Sequence, residues 1–218
     1  MAEKANEADI VVCDGRSTDD STNLEFLFQQ NVRSLLITDE TGLCTATRLA
    51  LAYAIEQGYE GVITVDGNNK DGVEAITDFI ACLDQGYDLI QGSRFINGGV
   101  HKNTPIERYL GVKYVMSPVL SLGAGFKFTD VTNAFRACSM TYLLNKQVQP
   151  LRKEFVRYNL QLYLDYRAAK LKLRVKEIPV TRIYPDNESP PTKLVGFRPK
   201  LLNVFEMLCT ACGIYNPR

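Results

Sequence analysis

Along the first ninety residues, apolar and polar positions switch between two periods. Ala8–Cys13 (ADIVVC), Ser34–Thr38 (SLLIT), Gly61–Val65 (GVITV) and Tyr87–Gln91 (YDLIQ) are short runs rich in β-branched residues, and each reads as a buried strand. Between them the apolar spacing widens to three and four. Thr22 and Glu25 have capping-box spacing ahead of Leu24, Leu27 and Phe28. Leu43–Gln57 carries apolar or small residues at 43, 46, 49, 50, 53 and 54, with Gly58 where a helix-ending glycine belongs. Val73, Ile76, Ile80 and Leu83 share one further helical face. Strands alternating with helices predict an α/β domain: a mostly parallel sheet flanked by helices.

The second half is less regular. Its pattern predicts a helical stretch over Pro105–Leu122 broken near Pro118, a turn at Gly123–Gly125, and a strand with a short helix across Asn133–Asn145. A long helix from about Glu154 to Leu171, a strand over Leu173–Ile183 and an amphipathic last helix near Pro199–Cys212 complete the chain. The proline-rich loop Tyr184–Thr192 reads as a lid.

Composition adds one feature to this picture. The 218 residues hold 25 basic and 25 acidic side chains, but residues 1–92 carry 17 acidic and 5 basic groups while residues 93–218 carry 8 and 20. Halves of −12 and +12 predict a cleft with one acidic and one basic wall, suited to a cation and an anionic ligand. The six cysteines are scattered through apolar stretches rather than spaced as a framework, which points to reduced thiols in a cytoplasmic setting. Cys209 and Cys212 form a lone C-x-x-C with no second pair, so zinc is not expected. No apolar run reaches the roughly 18 residues needed to span a membrane. The basic run Arg167–Lys176 reads as a solvated face, and no nucleic-acid partner is expected.

In an open parallel sheet, ligands bind beyond the carboxyl ends of the strands, so the polar residues that follow each strand are the candidates for chemistry. Asp14 ends the first strand and is placed to accept hydrogen bonds from a ligand, or simply to close a turn onto the next helix. Asp66 and Asn68 follow the third strand in a D-G-N, an arrangement open to a hard divalent cation or to an ordinary Asx turn. Gly92-Ser93-Arg94 places a guanidinium after the fourth.

Five blocks carry a resemblance. VVCDGRSTDDST, TVDGNNKDGVEAI, YDLIQGSRF, DVTNAFRA and VKEIPVTRIYPDNESPPTK resemble, in order and spacing, the family 2 glycosyltransferases of the GT-A fold, and most of all the dolichyl-phosphate mannose synthase-like branch and its bacterial relatives in cell-surface glycan synthesis. The likeness runs from about Asp9 to Lys193. It implies a single domain with a donor half at residues 1–92 and an acceptor half at 93–218, moving a sugar from a nucleotide-sugar donor, with inversion, to a polyprenyl phosphate or a glycan hydroxyl. It places Asp14 on the nucleotide base. Asp66 and Asn68 fall on the D-x-D that holds Mg²⁺ or Mn²⁺, and Arg94 and Arg108 on acceptor-phosphate positions. Asp130 takes the position of a general base. Arg182 and Lys193 lie on the basic loop over the phosphates, with Thr192 replacing the usual serine.

Three departures accompany it. Asn68 is a neutral, weaker metal ligand than aspartate, and Lys70 occupies a further ligand position where an ammonium cannot coordinate. Lys70 is therefore a candidate to neutralise the leaving diphosphate itself. The branch's opening strand, with its I-P-A-Y-N-E-like segment, is expected some tens of residues before Asp14, whereas thirteen residues precede it. A catalytically impaired sugar-nucleotide-binding or scaffold protein is the competing reading; a nucleotidyltransferase is a third, without the glycine-rich phosphate loop expected of it. The terminal helix, with Leu201, Phe205 and Leu208 near Arg198 and Lys200, offers a peripheral contact with anionic lipid or ordinary packing against the sheet.

Overall fold

The computed structural model describes residues 8–40, 42–185 and 197–217. Strands β1 (Ile10–Asp14) and β2 (Val32–Ile37) pair in parallel, with α1 (Leu24–Gln29) between them in the chain. Asn23 rather than Thr22 caps α1, its side chain accepting from the Phe26 amide at 3.0 Å. Helix α2 (Leu43–Glu56) leads to β3 (Gly61–Thr64), and a 3-10 turn at Val73–Ala75 opens α3 (Ile76–Asp84). The fourth strand, β4, is Leu89–Ser93, starting two residues later than its pattern predicts.

A short strand absent from the sequence reading, β5 (Val100–Lys102), precedes an uninterrupted helical run: α4 (Ile106–Gly111), a π-helical turn (Val112–Met116) and α5 (Ser117–Ala124). Pro118 does not break it. Proline lacks the amide that an α-turn needs, and it falls in the first turn of α5, where the preceding π-turn has already released the regular hydrogen-bond register. Next come β6 (Arg136–Ser139), α6 (Met140–Leu143) and α7 (Asn159–Lys170). The predicted strand over 173–183 is two: β7 (Val175–Pro179) and β8 (Thr181–Ile183), parted at Val180. Helix α8 spans Phe197–Ala211.

The central sheet has the order β3-β6-β4-β7, with β4 and β7 parallel and β6 antiparallel to both of its neighbours; β5 and β8 form a separate parallel pair. The α/β, mostly parallel architecture is thus the expected one, with β6 as its reversed member. Strand β4 shows why helices cover both faces. Consecutive residues of a strand point to opposite sides. Leu89 joins a core with Leu120, Phe155, Tyr163 and Met207 from the side of α5, α7 and α8, while Ile90 joins Phe79, Phe135 and Ile178 on the side of α3. Beside it, a Cβ on Gly92 would stand 2.7 Å from the Phe135 carbonyl, so only glycine lets the backbones of β4 and β6 approach this closely. The two sequence halves share this sheet, since β6 from the second half lies between β3 and β4 from the first.

Candidate active site

Sheet direction brings the candidate residues to one edge. Strands β3 and β4 run the same way, so Asp66 and Arg94 follow their carboxyl ends on the same side. Because β6 is reversed, the loop that enters it, Asp130–Phe135, arrives at that edge too. Gln91, fully buried in β4, holds this loop: its Nε2 donates to the carbonyls of Asp130 at 2.9 Å and Asn133 at 3.0 Å. Glu177 holds it from β7, accepting from the Thr129 amide and hydroxyl at 2.8 Å each and from the Asp130 amide at 3.3 Å. Burial raises the Glu177 carboxyl above its ordinary range against these hydrogen bonds.

Arg94 and Asp130 face one another. The Arg94 Nε donates to Asp130 Oδ2 at 2.6 Å and Nη2 to Oδ1 at 2.8 Å, a two-pronged pair in which the side chains are 2% and 0% exposed. The acceptor-phosphate candidate and the general-base candidate are thus each other's partners. Both oxygens of this carboxylate are taken up by the guanidinium, which leaves neither turned to a substrate hydroxyl as the pair stands.

A second group forms where residues 70–72 run beside β8. The Gly72 amide donates to the Thr181 carbonyl at 2.9 Å and the Ile183 amide to the Lys70 carbonyl at 2.9 Å, which sets Lys70 and Arg182 side by side. Arg182 reaches Asp71 Oδ2 at 2.5 Å and Asp66 Oδ2 at 3.0 Å. Burial opposes its charge, yet Asp71 and Asp66 outweigh that and hold the guanidinium more firmly protonated than usual. Lys70 is buried, with its Nζ 5.0 Å from the centre of the Tyr184 ring. Burial, then the Arg182 charge, moves its ammonium below the ordinary lysine range.

Tyr184 is the residue around which the cations gather. Arg108, from α4, donates to its hydroxyl at 2.7 Å, and Arg182 lies 5.8 Å from its ring centre. Burial alone would raise the phenol, but Arg108, Arg182 and Arg94 take it below its usual value. Neither Tyr184 nor Asp71 was visible as a site residue in the sequence. The only available signal was the position of Tyr184 two residues after Arg182, on the same side of an extended segment.

Asp14 stands in another setting. Its carboxylate accepts from the Ser17 hydroxyl at 2.5 Å and the Ser17 amide at 2.7 Å, and the hydroxyl in particular keeps it below the ordinary carboxylate range. Asn68 is exposed and points its amide at Asp66 Oδ2, 3.4 Å away. Lys193, and the lid read over 184–192 beyond Pro185, lie outside the described residues. Among the described residues, no group of three or more His, Cys, Asp or Glu side chains comes together to hold a metal. Asp66 with Asn68 offers one carboxylate and one amide oxygen. That donor set suits a Mg²⁺ or Mn²⁺ bound chiefly by substrate phosphates, not an all-protein cage.

No family model matches the chain. The undecaprenyl-phosphate mannosyltransferase of Micrococcus luteus is 25% identical over 193 residues, covering 87% of this chain and 77% of that protein. The polyprenol monophosphomannose synthase of Mycolicibacterium smegmatis is 26% identical over 160 residues, 73% of this chain and 58% of that one. Among solved structures, glucosyl-3-phosphoglycerate synthase from Mycobacterium tuberculosis, in complex with Mn²⁺, UDP and glucosyl-3-phosphoglycerate, aligns with a TM-score of 0.62 at 14% identity, over 94% of this chain and 69% of that one. The same synthase with Mn²⁺, UDP and phosphoglyceric acid aligns at 0.65 over 94% and 68%. This second likeness is one of fold: the chain has the GT-A architecture of nucleotide-sugar glycosyltransferases. The names of the curated relatives, at 25% and 26% identity, agree with the resemblance of the chain to the dolichyl-phosphate mannose synthase-like branch of the family 2 glycosyltransferases.

Proposed function

We propose that the protein transfers a hexosyl group from a nucleotide sugar to a polyprenyl phosphate, with inversion, in cell-surface glycan synthesis at the inner face of the cytoplasmic membrane. The observation that selects this acceptor over a glycan hydroxyl is the closed Arg94–Asp130 pair. A hydroxyl must lose its proton as it attacks, and a carboxylate bound on both oxygens by a buried guanidinium is poorly placed to take it. A phosphate oxygen is already anionic and needs cations to position it, which Arg108, Lys70 and Arg182 around Tyr184 supply. The curated relatives, one named an undecaprenyl-phosphate mannosyltransferase and the other a polyprenol monophosphomannose synthase, agree with this choice.

In this reading the acceptor oxygen forms its bond to the anomeric carbon as the bond to the nucleoside diphosphate breaks, and the diphosphate leaves with the electron pair. Asp14, held in its turn by Ser17, receives the base. Asp66 and Asn68 would hold Mg²⁺ or Mn²⁺, which when bound would supply neutralisation of the charge on the leaving diphosphate. Lys70, buried and displaced below its ordinary pKa, gains most by meeting an anion and serves the same charge from the protein side. Arg94 shares the acceptor side with Arg108, and Lys193 is assigned to the phosphates by the family resemblance alone.

The deciding assay gives the protein a panel of GDP-, UDP- and dTDP-sugars with either a polyprenyl phosphate or a glycan hydroxyl acceptor. The expected product is a polyprenyl phosphate sugar; transfer confined to hydroxyl acceptors overturns the proposal. Turnover that survives EDTA and collapses in Lys70→Ala supports the role given to Lys70. Complete loss in EDTA with Lys70 intact removes it.

A further inference from the structure

Tyr184 is buried, at 2% exposure, yet it belongs to neither apolar core; among the described residues, every other buried aromatic side chain lies in one of the two. Its surroundings are cationic instead. Lys70 Nζ stands 5.0 Å from the ring centre, the Arg182 guanidinium 5.8 Å and that of Arg108 5.9 Å, while Arg108 Nη1 also donates to the hydroxyl at 2.7 Å. A cation within about 6 Å of a ring centre is attracted by the negative face of the ring. The backbone fixes this ring from the β5 side: the Tyr184 amide donates to the Lys102 carbonyl at 3.1 Å, and the Asn103 side-chain amide donates to the Tyr184 carbonyl at 3.0 Å.

The three cations differ in what else holds them. Arg182 is paired with Asp71 and Asp66. Lys70 is 5% exposed, and its Nζ makes no hydrogen bond or ion pair among the described residues, so the ring face is what offsets its buried charge. Arg108 reaches in from α4 and meets the hydroxyl. Long cationic side chains lose much rotamer freedom when they are fixed, whereas a tyrosine has two side-chain torsions and a rigid ring and is fixed at small entropic cost. One ring therefore holds a lysine by its face and an arginine by its oxygen. A guanidinium carries five N–H groups, so a single hydrogen bond from Nη1 orients it without consuming it.

We infer that Tyr184 is the positioning residue common to the two anion sites: its ring holds Lys70 for the leaving diphosphate, and its hydroxyl holds Arg108 for the acceptor phosphate. The role of Arg108 rests on the polyprenyl-phosphate reading above. Calorimetric titration of the full chain with inorganic pyrophosphate and, separately, with farnesyl phosphate, both in EDTA, reads the two sides apart. Tyr184→Phe keeps the ring and loses the hydroxyl. It should bind pyrophosphate as wild type does and farnesyl phosphate roughly tenfold more weakly, the worth of one hydrogen bond to a charged group. Tyr184→Leu loses the ring as well and should weaken both ligands by about that factor. A general defect in folding would not spare one ligand, so the Phe variant decides the matter even where the Leu variant fails to fold. In an Arg108→Ala background Tyr184→Phe should have no further effect, because the hydroxyl acts through that arginine.

A Tyr184→Phe variant that binds both ligands as wild type does, or that weakens both equally, overturns the inference. So does an effect of Tyr184→Phe that persists in full without Arg108. Tighter binding of farnesyl phosphate by Tyr184→Phe overturns it too, by making the hydroxyl a competitor for Arg108. Turnover separates this assignment from the acceptor reading. Transfer to hydroxyl acceptors alone, with the expected binding pattern, rejects the acceptor reading while the role of Tyr184 stands. Transfer to a polyprenyl phosphate without that pattern does the reverse.

Discussion

Strands β1 and β4 are built from similar runs, Ile-Val-Val-Cys-Asp and Leu-Ile-Gln-Gly-Ser, and both deliver a candidate residue at or just after their ends, yet they occupy different environments. All five residues of β4 are buried, between β6 and β7 and under helices on both faces; all five of β1 are half-buried, with β2 as the hydrogen-bonded neighbour. The side chains at their ends follow suit. Arg94 is locked to a buried carboxylate, while Asp14 closes a local turn onto Ser17 within an exposed segment. A run of β-branched and aliphatic residues thus specifies a strand but not its depth, which depends on how many neighbours the fold supplies. The Arg94–Asp130 pair is thus built into rigid, doubly covered structure, and Asp14 sits on a less buried unit.

Three measurements would break or sharpen this contrast. The largest effect is expected from Arg94→Ala, which leaves Asp130 buried without its partner. Removal of one member of a buried pair costs about 3–5 kcal/mol, to be read from urea unfolding, and transfer to a polyprenyl phosphate should be lost with it. Loss of transfer without loss of stability would assign Arg94 wholly to the substrate. Next, Leu89→Ala in β4 should cost about 3 kcal/mol, because a fully enclosed side chain leaves a cavity. Val12→Ala in β1 should cost about 1 kcal/mol, its two methyl groups being only half removed from water. Equal costs would mean that β1 is covered in solution as fully as β4.

The third measurement concerns Asp165, fully buried on α7 beneath β6, with Arg136 Nη1 3.3 Å from one oxygen. Burial outweighs that guanidinium and pushes the carboxyl from 3.8 up to about 7. Between those values the folded protein keeps a proton that the unfolded chain has lost, so stability falls as pH rises through that window, by up to about 1.4 kcal/mol per pH unit. In Asp165→Asn the slope should flatten. Arg136 keeps its bonds to the carbonyls of Gln161 and Asn133, so the variant should fold. An unchanged slope would move the titration to another group.

Much of this arrangement was legible beforehand because it is local. The strand-end positions of Asp14, Asp66 and Arg94 follow from period and turn residues, and the antecedent loop of DVTNAFRA was recognisable as a block. Arg136, left open between bracing the sheet and chemistry, donates to two carbonyls and pairs with Asp165, which is a bracing role. The misplaced elements have local causes of another kind. Pro118 reads as a helix break unless the π-turn before it is known, and β5 is three exposed residues whose pairing with β8 has no periodic trace.

By itself the sequence determined the alternation of strands and helices, the polar residues at the strand ends and the segregation of charge, since each is written within a window of a few residues. Tertiary structure alone decided how those charges meet. Arg94 finds Asp130 across 36 residues, and Arg182 finds Asp71 across 111 and Asp66 across 116. Lys70 and Arg108 meet on a tyrosine that nothing in the local pattern singled out. It also decided that of two apolar stripes on the helical run from Ile106 to Ala124, the one through Met116 and Leu120 is core and the one through Ile106, Tyr114 and Leu122 faces outward, because burial depends on which face the rest of the chain happens to cover.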